Sequence, residues 1–168
     1  PNHFVSRFCL YKDDLGYLLG DGTVGLCFKD QSRIVMDPKG KFAQFYKYQH
    51  STVPEVIDLA NSDIENEPKY VSILRKVSKI FKKIKFSYEL PDSEFIPSVP
   101  LYNVKTFVKN ADSILFKMND KNLQVNFNDH MKLIIFWGTK KMCFFRNLKE
   151  KCNLMDLKYV ASMNSNCD

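Results

Sequence analysis

Tryptophan occurs once in this sequence, histidine three times, and no two cysteines stand in a C-x-x-C pair. His3, His50 and His130 lie far apart, so no local spacing suggests a metal ligand set. The five cysteines, at positions 9, 27, 143, 152 and 167, are odd in number and give no disulfide framework or zinc finger. The expectation is reduced thiols in an intracellular protein, with no metal and no cofactor. No apolar run approaches the roughly 20 residues that a membrane span needs. The opening PNHFVSRF carries no signal-peptide pattern.

What is present points to a folded chain rich in strands. Its 168 residues suffice for one large domain or two small ones, and 45% of them are hydrophobic. With Phe 14 and Tyr 8, the aromatic share favours β structure. The formal net charge of +6 attracts anionic partners, from phosphorylated or acidic peptides to nucleic acid and membrane surfaces.

Residues 4–48 read as short strands, FVSRFCLY, YLLGDGTVGLCF, RIVM and FAQFYKY, with turn signals at GDGT and DPKGK. Residues 50–66 are polar and read as loop. Tyr70, Leu74, Val77, Phe81 and Ile84 recur at helical spacing, and Pro68 suits a first-turn position. Arg75, Lys76, Lys79, Lys82 and Lys83 occupy most of the remaining surface of that helix. Residues 89–103 hold three prolines and read as an extended connector. Strands then return as SILFKM, NLQVNF, HMKLIIFW and KMCFFRN, and NLMDLKYVASM reads as a short terminal helix.

This order of elements implies a duplication. Sliding GDGTVGLCFKDQSRIVM by 99 positions onto NDKNLQVNFNDHMKLII needs no gap. Val24 then meets Leu123, Leu26 meets Val125 and Phe28 meets Phe127. Asp30 meets Asp129 and Arg33 meets Lys132, a shared Asp-x-x-basic element at the same turn.

Two tempting motifs fail. Gly20, Gly22 and Gly25 spell G-x-G-x-x-G, but a strand follows where a dinucleotide fold needs a helix. A kinase catalytic domain would also need H-R-D and D-F-G, and neither occurs. The basic helix could meet an acidic membrane, yet its apolar stripe is what packs a helix across a sheet.

In NFNDHMKLII, residues 126–135, a histidine and a lysine stand two apart before an apolar run. On a strand, residues i and i+2 share a face, so His130 and Lys132 are expected to project together. Two such donors could grip one phosphate. The alternative is a solvated strand end bearing two unrelated polar residues.

VSRFCLY, LGYLLGDGTVGLCFKDQSRIVM and VNFNDHMKLII, in tandem layout, resemble the polo-box domain of the Polo-like kinases. The likeness runs from about residue 4 to about residue 146. It implies an α+β fold of two polo boxes, each a six-stranded antiparallel sheet with a packed helix, and a cleft between them. Residues 1–88 would form the first box, 89–104 a connector and 105–168 the second, its terminal helix short or truncated.

The implied function is non-catalytic: recognition of phosphoserine or phosphothreonine peptides, targeting a Polo-like kinase to primed substrates and scaffolds in cell division. By position, His130 and Lys132 would clamp the phosphate, and Phe8, Leu10 and Phe86 would line the peptide. The kinase's own catalytic domain is a further implied partner; nucleic acid and membrane are not. Implied locations are cytoplasm, nucleus, centrosome and spindle. The alternative is a divergent polo-box module that dimerises or binds scaffolds without phosphate. Departures from the family pattern are Phe8 where Trp is usual, a stretch before the His one residue shorter, a short tail after Lys132, and no N-terminal extension.

Overall fold

The computed structural model describes residues 4–61, 66–84, 99–146 and 154–158. The chain divides into two compact units, residues 1–103 and 104–168. The first unit holds β1 (Val5–Tyr11), β2 (Asp14–Leu19), β3 (Val24–Cys27), β4 (Arg33–Met36), β5 (Phe42–Tyr46), β6 (Glu55–Asp58) and α1 (Pro68–Ile84). The second holds β7 (Val104–Lys109), β8 (Ser113–Met118), β9 (Leu123–Phe127), β10 (Lys132–Phe136), β11 (Lys141–Phe145) and β12 (Leu154–Asp156). Each set forms a six-stranded antiparallel meander in sequence order, as expected.

Local chemistry explains the hairpins. In GDGT, Gly22 takes φ 91°, a left-handed backbone that only glycine adopts without strain. The Asp21 carboxylate accepts the Thr23 N–H at 2.9 Å and fixes the turn. Gly25 answers a different need: a Cβ there would lie 2.1 Å from the Tyr17 ring, which crosses it. The motif that imitates a phosphate loop is therefore a hairpin followed by β3.

One face of the first sheet carries the core: Leu18, Leu26, Ile34, Phe45 and Ile57 pack with Val77 of α1. Tyr70 and Ile73 of α1 lie against the same cluster. The helix thus sits on this face by its apolar stripe, each fully buried side chain contributing roughly 1.5–3 kcal/mol. The opposite face buries Tyr17, Arg33, Gln44 and Tyr46. There the connector is tied down: Gln44 donates to the Val99 carbonyl at 2.6 Å and accepts the Leu101 N–H at 2.7 Å.

Three expectations are corrected. Residues read as loop contain β6, whose Ile57 alternates into the core while its neighbours face water. The start of the tail, read as helix, forms β12 by pairing with β11, and residues 159–168 lie outside the described ones. Cys9 and Cys27 are free thiols, but Cys143 is disulfide-bonded, so the reduced-thiol expectation fails for it.

Candidate functional site

The residues read as a phosphate clamp sit at one end of the second sheet. His130 lies in the turn between β9 and β10, and Lys132 is the first residue of β10. The turn closes when the Phe127 N–H donates to the Met131 carbonyl at 2.9 Å and the His130 N–H to the Phe127 carbonyl at 3.0 Å. The Asp129 carboxylate accepts the Met131 N–H at 3.1 Å. Within the turn His130 takes φ 69°, the left-handed region. That costs a residue with a Cβ about 1–2 kcal/mol. His130 therefore precedes the strand, and strand alternation does not align it with Lys132. The turn, not the ladder, brings both residues to the same sheet end, with His130 exposed and Lys132 half-buried.

The same turn occurs 99 residues earlier. The Phe28 N–H donates to the Ser32 carbonyl at 2.9 Å and the Gln31 N–H to the Phe28 carbonyl at 3.0 Å. Asp30 accepts the Ser32 N–H at 2.9 Å, and Gln31 takes φ 71°. Gln31 thus stands where His130 stands, and Arg33 where Lys132 stands.

Their fates differ. Arg33 is 3% exposed and consumed within its own unit. Its guanidinium donates to the Asn103 side chain at 3.1 Å, the Gln49 carbonyl at 3.1 Å and the Ser51 carbonyl at 3.3 Å. It also stacks over the Tyr46 ring at 4.2 Å. Lys132 pairs across the sheet with Asn126 and Phe145. Burial holds its pKa below the ordinary lysine value. An anion beside it would favour its charged form again.

Asn126 and Gln124 share the face of Lys132 and are buried, Gln124 donating to Asn126 at 2.8 Å. This polar strip was missed in the sequence, although 124 and 126 alternate with Leu123, Val125 and Phe127.

In the first unit, Phe8 and Leu10 lie on β1, an edge strand of its sheet. They share a face, opposite Tyr17 and Leu15, and are 37% and 38% exposed. Cys9 between them turns to the α1 side of the sheet. An edge strand keeps one row of backbone groups available for an added peptide strand. Phe86 and Lys85 lie outside the described residues. Among the described residues, no group of His, Cys, Asp and Glu could hold a metal, and no helix is long and apolar enough to cross a membrane.

The sequence profile of the POLO box duplicated region matches residues 11–66 and 110–166. The chain belongs to this family. It is similar to a probable serine/threonine-protein kinase CCRP1 of Zea mays, 25% identical over 138 residues, covering 79% of this chain and 22% of that protein. It is also similar to serine/threonine-protein kinase plk-2 of Caenorhabditis elegans, 23% identical over 144 residues, covering 80% and 22%. The chain thus spans about a fifth of these relatives, 22% of each.

Among solved structures it resembles the polo-box domain of budding yeast Cdc5, with TM-score 0.72 and 16% identity, covering 95% of this chain and 66% of that one. The same domain in complex with an Spc72 phosphopeptide matches with TM-score 0.65 and 16% identity, covering 96% and 61%. In complex with the Dbf4 polo-interacting region it matches with TM-score 0.62 and 15% identity, covering 96% and 62%. These likenesses establish the fold.

Proposed function

We propose that this chain is the phosphopeptide-recognition module of a Polo-like kinase. It docks the kinase, without chemistry of its own, onto proteins already phosphorylated on serine or threonine during cell division, at centrosome or spindle structures. His130 and Lys132 hold the phosphate, and Phe8, Leu10 and Phe86 contact the peptide. A phosphate carries roughly −1.5 to −2 charges at neutral pH, and charge-assisted hydrogen bonds to it are the strong ones. The observation that carries the reading is the β9–β10 turn. It presents an exposed His130 and a half-buried Lys132 at one end of the second sheet. The yeast relative solved with a phosphopeptide supports it. Titration with one Ser-pThr peptide and its unphosphorylated twin tests the proposal. Preference for the phosphorylated form is expected, and equal affinities would remove the phosphate reader.

A second reading has one observation in its favour. The face of the second sheet that corresponds to the α1 side of the first is apolar and half open: Val108 is 51% and Phe144 41% exposed. A homodimer or a scaffold bound without phosphate would cover it. Sedimentation of the chain at increasing concentration separates the two. A monomer that binds only the phosphorylated peptide excludes the second reading.

A further inference from the structure

The edge strand β12 has little to hold it. Its three residues are all exposed. It meets β11 through Lys141, Met142 and Cys143, and beyond them the Leu157 N–H donates to the Lys140 carbonyl at 2.9 Å. Its counterpart β6 is also short, but Ile57 anchors it in the core of the first box. Fixing the backbone of a residue costs about as much as a ladder hydrogen bond returns. A strand that buries no side chain is therefore not kept docked by its pairing alone.

Cys143 supplies the missing support. It is buried on β11, opposite Leu154 of β12, and disulfide-bonded. Cys9 and Cys27 stand as thiols, so the bond joins Cys143 to Cys152 or Cys167. In sequence Cys152 comes just before Leu154, and Cys167 follows Asp156. Either bond ties the stretch that carries β12 to β11. A cross-link of this kind restricts the undocked segment, which favours the docked one. The equivalent position of the first box, 99 residues earlier, is Gln44, which holds the connector by hydrogen bonds to Val99 and Leu101. The same place in the ladder thus secures a later segment in both boxes, by hydrogen bonds in one and by a covalent bond in the other.

We propose that the Cys143 disulfide is a redox-sensitive latch on the edge of the second sheet. Oxidised, it holds β12 in place as the sixth strand. Two equivalents of a small thiol such as glutathione open it. The sulfur–sulfur bond takes up two electrons and two protons, the protein gains two thiols, and the reductant leaves as its own disulfide. β12 then departs and β11 becomes the edge, with its outer row of backbone groups open to an added strand. The switching, unlike the latch, rests on the proposed function. At the centrosome or spindle structures named there, thiols are kept reduced, and a disulfide in such surroundings is transient or redox-sensing.

The test compares the isotope-labelled chain in oxidised and in reduced glutathione. Alkylation of the oxidised form under denaturing conditions, followed by peptide mapping, should find Cys143 joined to Cys152 or Cys167, and Cys9 and Cys27 alkylated. In amide hydrogen exchange read by NMR, reduction should speed exchange at residues 154–157 at least about tenfold. The buried Ile114 and Phe116 of β8 should not change. Whichever of Cys152→Ser and Cys167→Ser breaks the bond should reproduce the reduced pattern without reductant and without a substitution in the core. An alkylated Cys143 in the oxidised form, a bond that persists in excess reduced glutathione, or exchange at 154–157 indifferent to the bond would overturn the latch. So would protection lost throughout β7 to β10, which would make the bond a support of the whole box. Neither measurement involves a phosphopeptide, so the latch and the phosphate reader stand or fall separately.

Discussion

In the first box, the row Cys9, Leu26, Ile34 and Phe45 lies under α1. In the second, the equivalent row Val108, Val125, Leu133 and Phe144 lies 99 residues on and is nowhere fully buried. The backbones agree closely. From β1 to β5 and from β7 to β11 the strand pairings match at that constant offset of 99. Even the register shift in the first hairpin recurs, between Val5 and Arg7 and between Val104 and Thr106. The last strand departs by one: Phe42 faces Asp58, while Lys141 faces Asp156. What diverged is therefore not the ladder but its surroundings. The first copy buries its basic residue among hydrogen-bond acceptors of its own unit, and the second leaves its basic residue half-buried at the sheet end.

The sharpest way to break this comparison is to remove the proposed clamp from the second box. His130→Ala with Lys132→Ala should lower phosphopeptide affinity by roughly 3–6 kcal/mol, at least about a hundredfold, by isothermal calorimetry. Its thermal melt should stay close to that of the parent, since neither side chain is in the core.

The same repeat position in the first box should behave oppositely. Arg33→Ala strips the Gln49 and Ser51 carbonyls and Asn103 of their donor. A loss on the order of 3 kcal/mol in denaturant unfolding is expected. Peptide affinity per folded molecule should hardly change. If Arg33→Ala abolished phosphopeptide binding in a fully folded sample, the division of labour between the boxes would be wrong.

A smaller effect is expected at Gly25, whose counterpart is Gln124. Gly25→Ala drives a methyl into the Tyr17 ring. Overpacking of this kind costs about 1–3 kcal/mol. Gln124 shows that the second box tolerates a large side chain at the same point of the ladder, its own amide satisfied by Asn126.

The smallest effect is a pH dependence. Burial pushes the Cys27 thiol up to about 12 from its ordinary 9.0, with the Arg33 charge opposing. Above pH 9 the unfolded chain releases this proton while the folded chain keeps it. Stability should therefore fall as pH rises from 9 toward 12, by about 1 kcal/mol at pH 10. Below pH 9 this group gives no slope. Asn126, its counterpart, has no proton to release, so Cys27→Ala should flatten the alkaline limb of the stability curve.

Much of the fold was legible because its signals are local. Alternation fixed most strands, GDGT and DPKGK fixed turns, and the stripe through Tyr70 and Val77 fixed α1. β6 escaped because only Ile57 of its four residues is buried, which leaves too little pattern to read. β12 escaped for the same reason: all three of its residues are exposed and it exists only by pairing with β11. At the candidate site, Lys132 was legible as a strand residue beside a turn. The position of His130 was not, because a left-handed backbone at a histidine is imposed by the closing hydrogen bonds of the hairpin.

The amino-acid order alone decided that there are two copies, where their strands turn and how they register, since turn chemistry and a two-residue period act between near neighbours. Only the tertiary structure decided what became of the two equivalent cations. Arg33 is buried because Asn103, 70 positions away, meets it, and because the segment holding Gln49 and Ser51 folds back over it. Such encounters depend on distant segments arriving at one place, and no local pattern encodes them.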